Sequence, residues 1–334
     1  MVEIKYFELN SDSVDGYINL LQGYHKNNAI QRYRERGDWY RKKGGYKILL
    51  AYIDGEMLGQ STAYQDVAIV KGKEMEIWWG VDSFVLAKAR GKGLGKLLQK
   101  KLHEDLPNFS SAWYSPTNGH IKRLCGATEL FEFSFYYYPV SSFINFFISK
   151  AQKNKQRWLR CIPRIPNLYK CFNICSMQSY TIKESPLEES LVPFIERTLH
   201  KYDFYIKRDW NYLKWRYYEN PNIKFKLFTI YQKNQLVAIQ ICSDVINDNG
   251  FKYIYSLDTF INDETQITHK NIYNLVSTYL QSNNIIIDGI MSIQKFKWFG
   301  RFAFGKRKFL LSTLKSKILN PYLSYSDQDM VQMY

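Results

Sequence analysis

Residue types and spacing carry the most chemistry in Val81–Leu98, VDSFVLAKARGKGLGKLL. A β-rich run there enters a loop holding Gly91, Gly93 and Gly95, after which Leu94, Leu97, Leu98 and Leu102 fall on one helical face. Strand, glycine loop and helix N-terminus in that order aim several backbone N–H groups at one anion. A Cβ would hold phosphate oxygens away from those amides, while the helix dipole and Arg90, Lys92 or Lys96 add attraction. The expected ligand group is a pyrophosphate. A Walker loop does not fit, because Arg90 stands where its first glycine belongs and Leu97 follows Lys96 where Ser or Thr is required. The dinucleotide fingerprint fails too: the glycines are spaced G-x-G-x-G, and the preceding strand belongs to an antiparallel meander.

The elements around this loop read β-α-β-β-β-α-β-α-β. Strand patterns cover Val2–Leu9, Tyr46–Ile53, Leu58–Val70, Glu76–Leu86, Ser110–Ser115 and Phe131–Tyr138; helical ones cover Val14–His25, Leu94–His103 and a short helix from His120. After a basic, proline-containing connector the same grammar restarts at Tyr180, with a motif-like strand at Phe251–Phe260 and a helix at Ile267–Leu280. Its loop Ile261–Ile267 has no glycine and two acids, so one phosphate site is expected, in the first half. The fold class is α+β: two domains, each a mostly antiparallel twisted sheet flanked by helices. Their expected bounds are 1–140, a connector at 141–178, a second domain at 179–320 and a tail at 321–334. Strand alternation puts Glu76, Trp78, Gly80, Asp82 and Phe84 on one face of the motif strand. Glu76 and Asp82, six residues apart, are roughly 20 Å from each other, so at most one serves as a base.

Arg90-Gly91-Lys92-Gly93-Leu94-Gly95 resembles motif A of the Gcn5-related N-acetyltransferase (GNAT) superfamily, Arg/Gln-x-x-Gly-x-Gly/Ala, with Val85 as the apolar residue five before the Arg. The resemblance covers about residues 1–140, element order included. It implies acetyl-CoA as co-substrate, with pyrophosphate on the loop amides and pantetheine along the strand, and assigns Phe84, Val85, Leu86, Arg90, Gly91, Lys92, Gly93, Leu94, Gly95, Lys96 and Asn118 to that ligand. No metal is implied. Direct attack of an amine on the thioester needs a base, a carbonyl donor and an acid for the departing thiolate. Asp82 is the favoured base and Glu76 the second choice, with a water chain equally able to take the proton. Cys125 stands where many members carry the acidic Tyr, seven after Asn118; Tyr136, Tyr137 and Tyr138 are alternatives from the next strand. The Trp210–Tyr218 patch resembles a segment of tandem GNAT proteins read as acceptor-binding, against the simpler reading of a helical core.

The 334 residues, 46% hydrophobic, can bury enough surface to order two domains. The net charge of +15 comes from two acid-free segments: Lys150 to Lys183 and Lys295 to Lys317 hold eight cations each. This favours an anionic acceptor over a polyamine, and the aromatic-basic connector suits an anionic membrane surface. No nucleic-acid recognition motif accompanies the charge. Five irregularly spaced cysteines, and no signal or spanning segment, point to the cytoplasm, with peripheral attachment to the inner membrane face as an option. Together these readings favour N-acetylation of an amino sugar on a nucleotide- or lipid-diphosphate carrier in bacterial surface-glycan synthesis. The alternatives are a Fem-like or longer-chain acyltransferase and, outside enzymes, a degenerate acyl-CoA-binding or peripheral-membrane module.

Overall fold

A computed structural model describes residues 1–7, 14–25, 37–111, 116–140, 179–248, 251–293, 302–311 and 318–324. In chain order the elements begin β1 (Val2–Tyr6), α1 (Val14–His25), α2 (Asp38–Lys43), β2 (Lys47–Ile53), β3 (Glu56–Val70), β4 (Lys73–Val85), α3 (Leu94–Asp105), β5 (Phe109–Ser111), α4 (Pro116–Leu124) and β6 (Thr128–Pro139). They continue with β7 (Tyr180–Ser185), α5 (Val192–Leu199), β8 (Phe204–Ile206), α6 (Trp210–Leu213), β9 (Phe225–Gln232), β10 (Gln235–Ser243), β11 (Ile246–Asp248), β12 (Phe251–Ile261), α7 (His269–Ser282), β13 (Gly289–Ser292) and β14 (Phe302–Leu311). The expected order of the first half is present, with α2 added. Residues 141–178, the whole of the expected basic connector, lie outside the described ones.

The compact units are not the contiguous blocks 1–140 and 179–320. The first comprises Met1–Phe133, Tyr202–Asn222 and Arg307–Tyr322; the second comprises Ser134–Lys201, Ile223–Lys306 and Leu323–Tyr334. The reason lies in buried aromatics. Trp215 stacks on Trp39 at 4.3 Å, each indole N–H donating to the other residue's carbonyl (2.8 and 2.9 Å), so Tyr202–Asn222 completes the core of the first unit. Tyr212, Leu213, Trp215 and Tyr217 are all buried, which makes the Trp210 patch a core segment. It ends in a π-helical turn over Lys214–Tyr218.

In the first unit β1, β2, β3 and β4 form an antiparallel meander, and β8 pairs with β3 at Ala68–Val70, beyond its pairing with β2. β5 joins β4 in parallel at Trp78↔Phe109 and Trp79↔Ser110, and β14 pairs antiparallel with β5. α3 buries Leu94, Leu98 and Leu102 against Leu49, Ala63 and Trp78 on one side of the sheet. α1 buries Tyr17, Leu20 and Leu21 against Ile48, Leu50 and Phe84 on the other. Trp78 and Phe84 therefore lie on opposite faces, which corrects the strict alternation expected of this strand. The cause is a β-bulge: Gln60 faces Phe84 and Thr62 faces Val81, so Ser61 alone stands opposite Asp82 and Ser83. Asp82 takes φ 44°, a left-handed conformation that Asp tolerates better than most residues.

The second unit is ordered β7-β9-β10-β12-β13, followed by the end of β6, where Tyr136–Pro139 pair with β13; β11 pairs with β12. α7 covers it with Ile272, Tyr273, Val276 and Leu280 against Phe228, Ile254 and Ile290. The topology echoes the first unit, since β12 meets β13 in parallel as β4 meets β5. Its loop chemistry differs. Thr268 and Asn271 close a capping box on the first turn of α7, and Thr265 bonds back to Asn262, so side chains of the chain itself answer that helix start. Among the described residues no helix is long and apolar enough to cross a membrane.

Candidate functional site

β4 delivers the chain into the loop before α3. After Val85 the backbone turns through a short 3-10 segment, in which Ala89 N–H bonds to Leu86 O and Arg90 N–H to Ala87 O, and Lys92 N–H then bonds to Ala89 O. Gly91 and Gly93 take φ 84° and 79°, left-handed values that strain any L side chain. A Cβ at either would meet no protein atom within 4 Å, so the space in front of the loop is open to a ligand. Gly93 caps α3, and its carbonyl accepts from Lys96 and Leu97. The N–H groups of Gly91, Gly93, Leu94 and Gly95 enter none of the backbone bonds among the described residues. No acid stands in the first turn of α3, and Arg90, Lys92 and Lys96 are exposed around it. Four unused donors at a helix N-terminus with three nearby cations suit a pyrophosphate.

A cavity of about 370 Å³ opens beside this loop. Of the residues expected to hold an acyl-CoA, it is lined by Phe84, Val85, Arg90, Gly95 and Asn118. Gly91, Lys92, Gly93 and Lys96 lie at the loop mouth, while Leu94 is buried in the core and Leu86 bonds to Leu58 O. Arg90 Nε donates to Val85 O at 3.3 Å. The cavity is bordered from both faces of the sheet: by Leu98 and Gln99 of α3, and by Phe84 with Tyr24 stacked on it at 4.1 Å from α1. Described β5 pairing with β4 covers only Trp78 and Trp79. At Gly80 an added Cβ would strike the Phe109 ring at 2.6 Å and Ser111 Oγ at 3.0 Å.

None of the three residues expected to move protons borders the cavity. Glu76 is exposed and accepts the Trp78 indole N–H at 2.8 Å. Asp82 is half-buried at the bulge, where its carbonyl accepts from Gln60 Nε2 at 3.1 Å. Cys125 follows the last turn of α4, its thiol pushed upward by burial against the opposing pull of Lys96 and Lys122. Tyr137 and Tyr138 serve the second unit's core, Tyr137 Oη donating to Asp288 O and Tyr138 Oη to Asn274.

Two groups missed by pattern reading stand close to the site. Buried Ser61 and Gln99 and half-buried Ser83 form a polar cluster beside buried Gln60: Gln99 Nε2 donates to Ser61 Oγ (2.9 Å) and Ser83 Oγ (3.3 Å), and the two hydroxyls share a 2.6 Å bond. Lys122 of α4 is fully buried, donates to Ser111 Oγ and lies 4.7 Å from the centre of the Phe109 ring. Burial brings its ammonium down to about 7, with Cys125 pulling weakly the other way. Helical spacing from Asn118 marks Lys122 as sharing its face, but a single Lys in a basic chain carries no sequence signal. Among the described residues no group of His, Cys, Asp and Glu is arranged to hold a metal ion.

No protein-family model matches the chain, and no curated protein matches its sequence. Solved structures do match in shape. A GCN5-related N-acetyltransferase from Anabaena variabilis superposes with TM-score 0.61 at 11% identity, over 92% of this chain and 72% of that one. A tandem GNAT protein from the clavulanic acid biosynthesis pathway gives 0.54 at 10%, over 93% and 98%. N-myristoyltransferase from Saccharomyces cerevisiae, with bound myristoyl-CoA, gives 0.56 at 10%, over 99% and 83%. The chain has the GNAT fold. Its architecture is the tandem one: two mixed, mostly antiparallel sheets flanked by helices.

Proposed function

We propose that this chain is an N-acetyltransferase that moves an acetyl group from acetyl-CoA to a primary amine. The observation that carries the reading is the set of unused N–H groups at Gly91, Gly93, Leu94 and Gly95, at the mouth of a cavity lined by Val85, Arg90 and Asn118. In the reaction the amine nitrogen attacks the thioester carbon, the carbon–sulfur bond breaks, and the thiolate leaves as CoA after taking a proton. Asp82 is the proposed base, acting directly or through water from the bulge beside Ser83. An amino sugar on a nucleotide- or lipid-diphosphate carrier is the proposed acceptor, as in surface-glycan synthesis, because the two basic segments favour an anionic molecule. The segment 141–178 would hold the protein at the inner membrane face.

Calorimetric titration with CoA, followed by thiol release from acetyl-CoA in the presence of UDP-glucosamine or spermidine, tests this. Binding and turnover with the sugar nucleotide are expected, and absence of CoA binding would overturn the reading. Asp82→Asn should lower the rate across its pH profile while leaving CoA affinity unchanged. One observation favours a non-catalytic acyl-CoA binder: Cys125 holds the usual place of the acid and lies off the cavity lining. That reading predicts CoA binding without thiol release.

A further inference from the structure

A second cavity, of about 470 Å³, lies wholly within the first unit, where the end of α2, the stretch Gln65–Val67 of β3 and the segment around α6 meet. Its size suits a small molecule, and it shares no described lining residue with the cavity beside the glycine loop. Gln60 and Gln65, one in each lining, stand five positions apart on β3, roughly 17 Å. Charged side chains border the second cavity, and the chain itself engages most of them. The Lys43 ammonium lies 4.1 Å from the Trp215 ring and 4.7 Å from that of Tyr212, and pairs with buried Asp66 at 2.7 Å. Asp66 also accepts the Val67 N–H, and Asp209 accepts the Tyr212 N–H at 2.8 Å as the cap of α6. Lys207 is held by Glu74 at 2.6 Å. Lys42 and Lys214 differ. Both are exposed; Lys42 has no ion pair among the described residues, and Lys214 reaches only the Glu219 carboxylate, at 4.0 Å, beyond hydrogen-bond distance.

The π-helical turn explains how Lys214 and Glu219 come to one cavity wall. Glu219 N–H bonds to Lys214 O at 3.0 Å, five residues back, whereas in a regular α-helix residues so spaced point about 140° apart. Such turns are rare and gather at functional sites. Two accessible ammonium groups with donors to spare, on a chain of net charge +15, suit a doubly charged oxyanion, to which lysine offers a point charge. The half-buried Gln65 and exposed Asn211 amides in the same lining can pair with hydroxyl groups in either orientation. We infer that this cavity is a second ligand site that takes a phosphorylated, sugar-sized molecule, its phosphate held by Lys42 and Lys214. The inference is independent of the acyl-CoA reading, since the two cavities are separate and both can be filled at once.

Calorimetry with glucosamine 6-phosphate, glucosamine and inorganic phosphate, each with and without saturating CoA, tests it. Glucosamine 6-phosphate should bind more tightly than either fragment, and CoA should leave its affinity unchanged. Lys42→Gln and Lys214→Gln should each weaken it about tenfold, the loss of one charge-assisted hydrogen bond, while affinity for CoA stays as it was. No heat from glucosamine 6-phosphate, its displacement by CoA, or unchanged affinity in the two variants would overturn the inference. Glucosamine or inorganic phosphate binding as tightly as the sugar phosphate would overturn the ligand class. Absence of CoA binding with glucosamine 6-phosphate still bound would remove the proposed function and leave this inference standing.

Discussion

Replacing Lys122 by Met should stabilise the protein at neutral pH, by an amount that shrinks as pH rises. Lys122 Nζ has Ser111 Oγ and the Phe109 ring as neighbours, and the nearby titratable groups are Cys125 and His103. Its ammonium, ordinarily at 10.5, is brought down to about 7, chiefly by burial. A base held below its unfolded value binds fewer protons in the folded state between pH 7 and 10.5, so its contribution to stability rises with pH across that window and is constant below it. At roughly 1.4 kcal/mol per pH unit the full penalty below pH 7 is at most about 5 kcal/mol. Between pH 7 and 9, about 2 to 3 kcal/mol of it should be withdrawn. Met has similar length and no charge to desolvate, at the cost of one hydrogen bond to Ser111 worth about 1 kcal/mol. Urea unfolding of both proteins at several pH values from 6 to 9 measures this. Taking the difference cancels titrations that Lys122 does not touch; His103, brought down to about 4 chiefly by burial with Lys122 adding to the depression, titrates below this pH range. Parallel stability curves for the two would refute the reasoning, and would mean that Lys122 keeps its charge with water or an anion beside it.

Gly93→Val should abolish CoA binding, because a side chain at φ 79° fills the space the phosphates need; the fold should survive at a cost of about 1–2 kcal/mol, seen as a modest fall in Tm with unchanged circular dichroism. Trp215→Ala should destabilise the first unit by about 3–5 kcal/mol, since the stack on Trp39 and the Trp215 indole bond to the Trp39 carbonyl are lost while the backbone carbonyl of residue 215 remains to accept from Trp39; a loss below about 1 kcal/mol in denaturant unfolding would show that the stack is dispensable. Thr268→Ala should cost about 1 kcal/mol through the α7 capping box and leave CoA binding untouched.

The glycine loop was legible in sequence because its requirements are local: two positive φ angles and a leucine face at helical spacing place Gly91, Gly93 and α3 without knowledge of anything distant. The strands around it were legible to within a few residues for the same reason. Alternation misplaced Phe84, however, because a bulge is a property of two strands in register, and nothing in the run Glu76–Val85 shows that Ser61 faces two residues. The Gln60–Gln99 cluster was hidden likewise: its members come from β3, β4 and α3, and a glutamine reads as a surface residue until its burial is known. Trp210–Tyr218 showed helical spacing plainly, but only packing reveals that its partner is Trp39, 176 residues away.

That long-range pairing bears on how the polypeptide is made. A ribosome releasing the chain in order exposes Trp39 and Tyr40 well before the segment that covers them, and Phe204 emerges before Tyr322, whose amide it binds. The first unit thus stays unfinished until Tyr322 has been made, and excised fragments ending near 140 should be sticky, chaperone-dependent material.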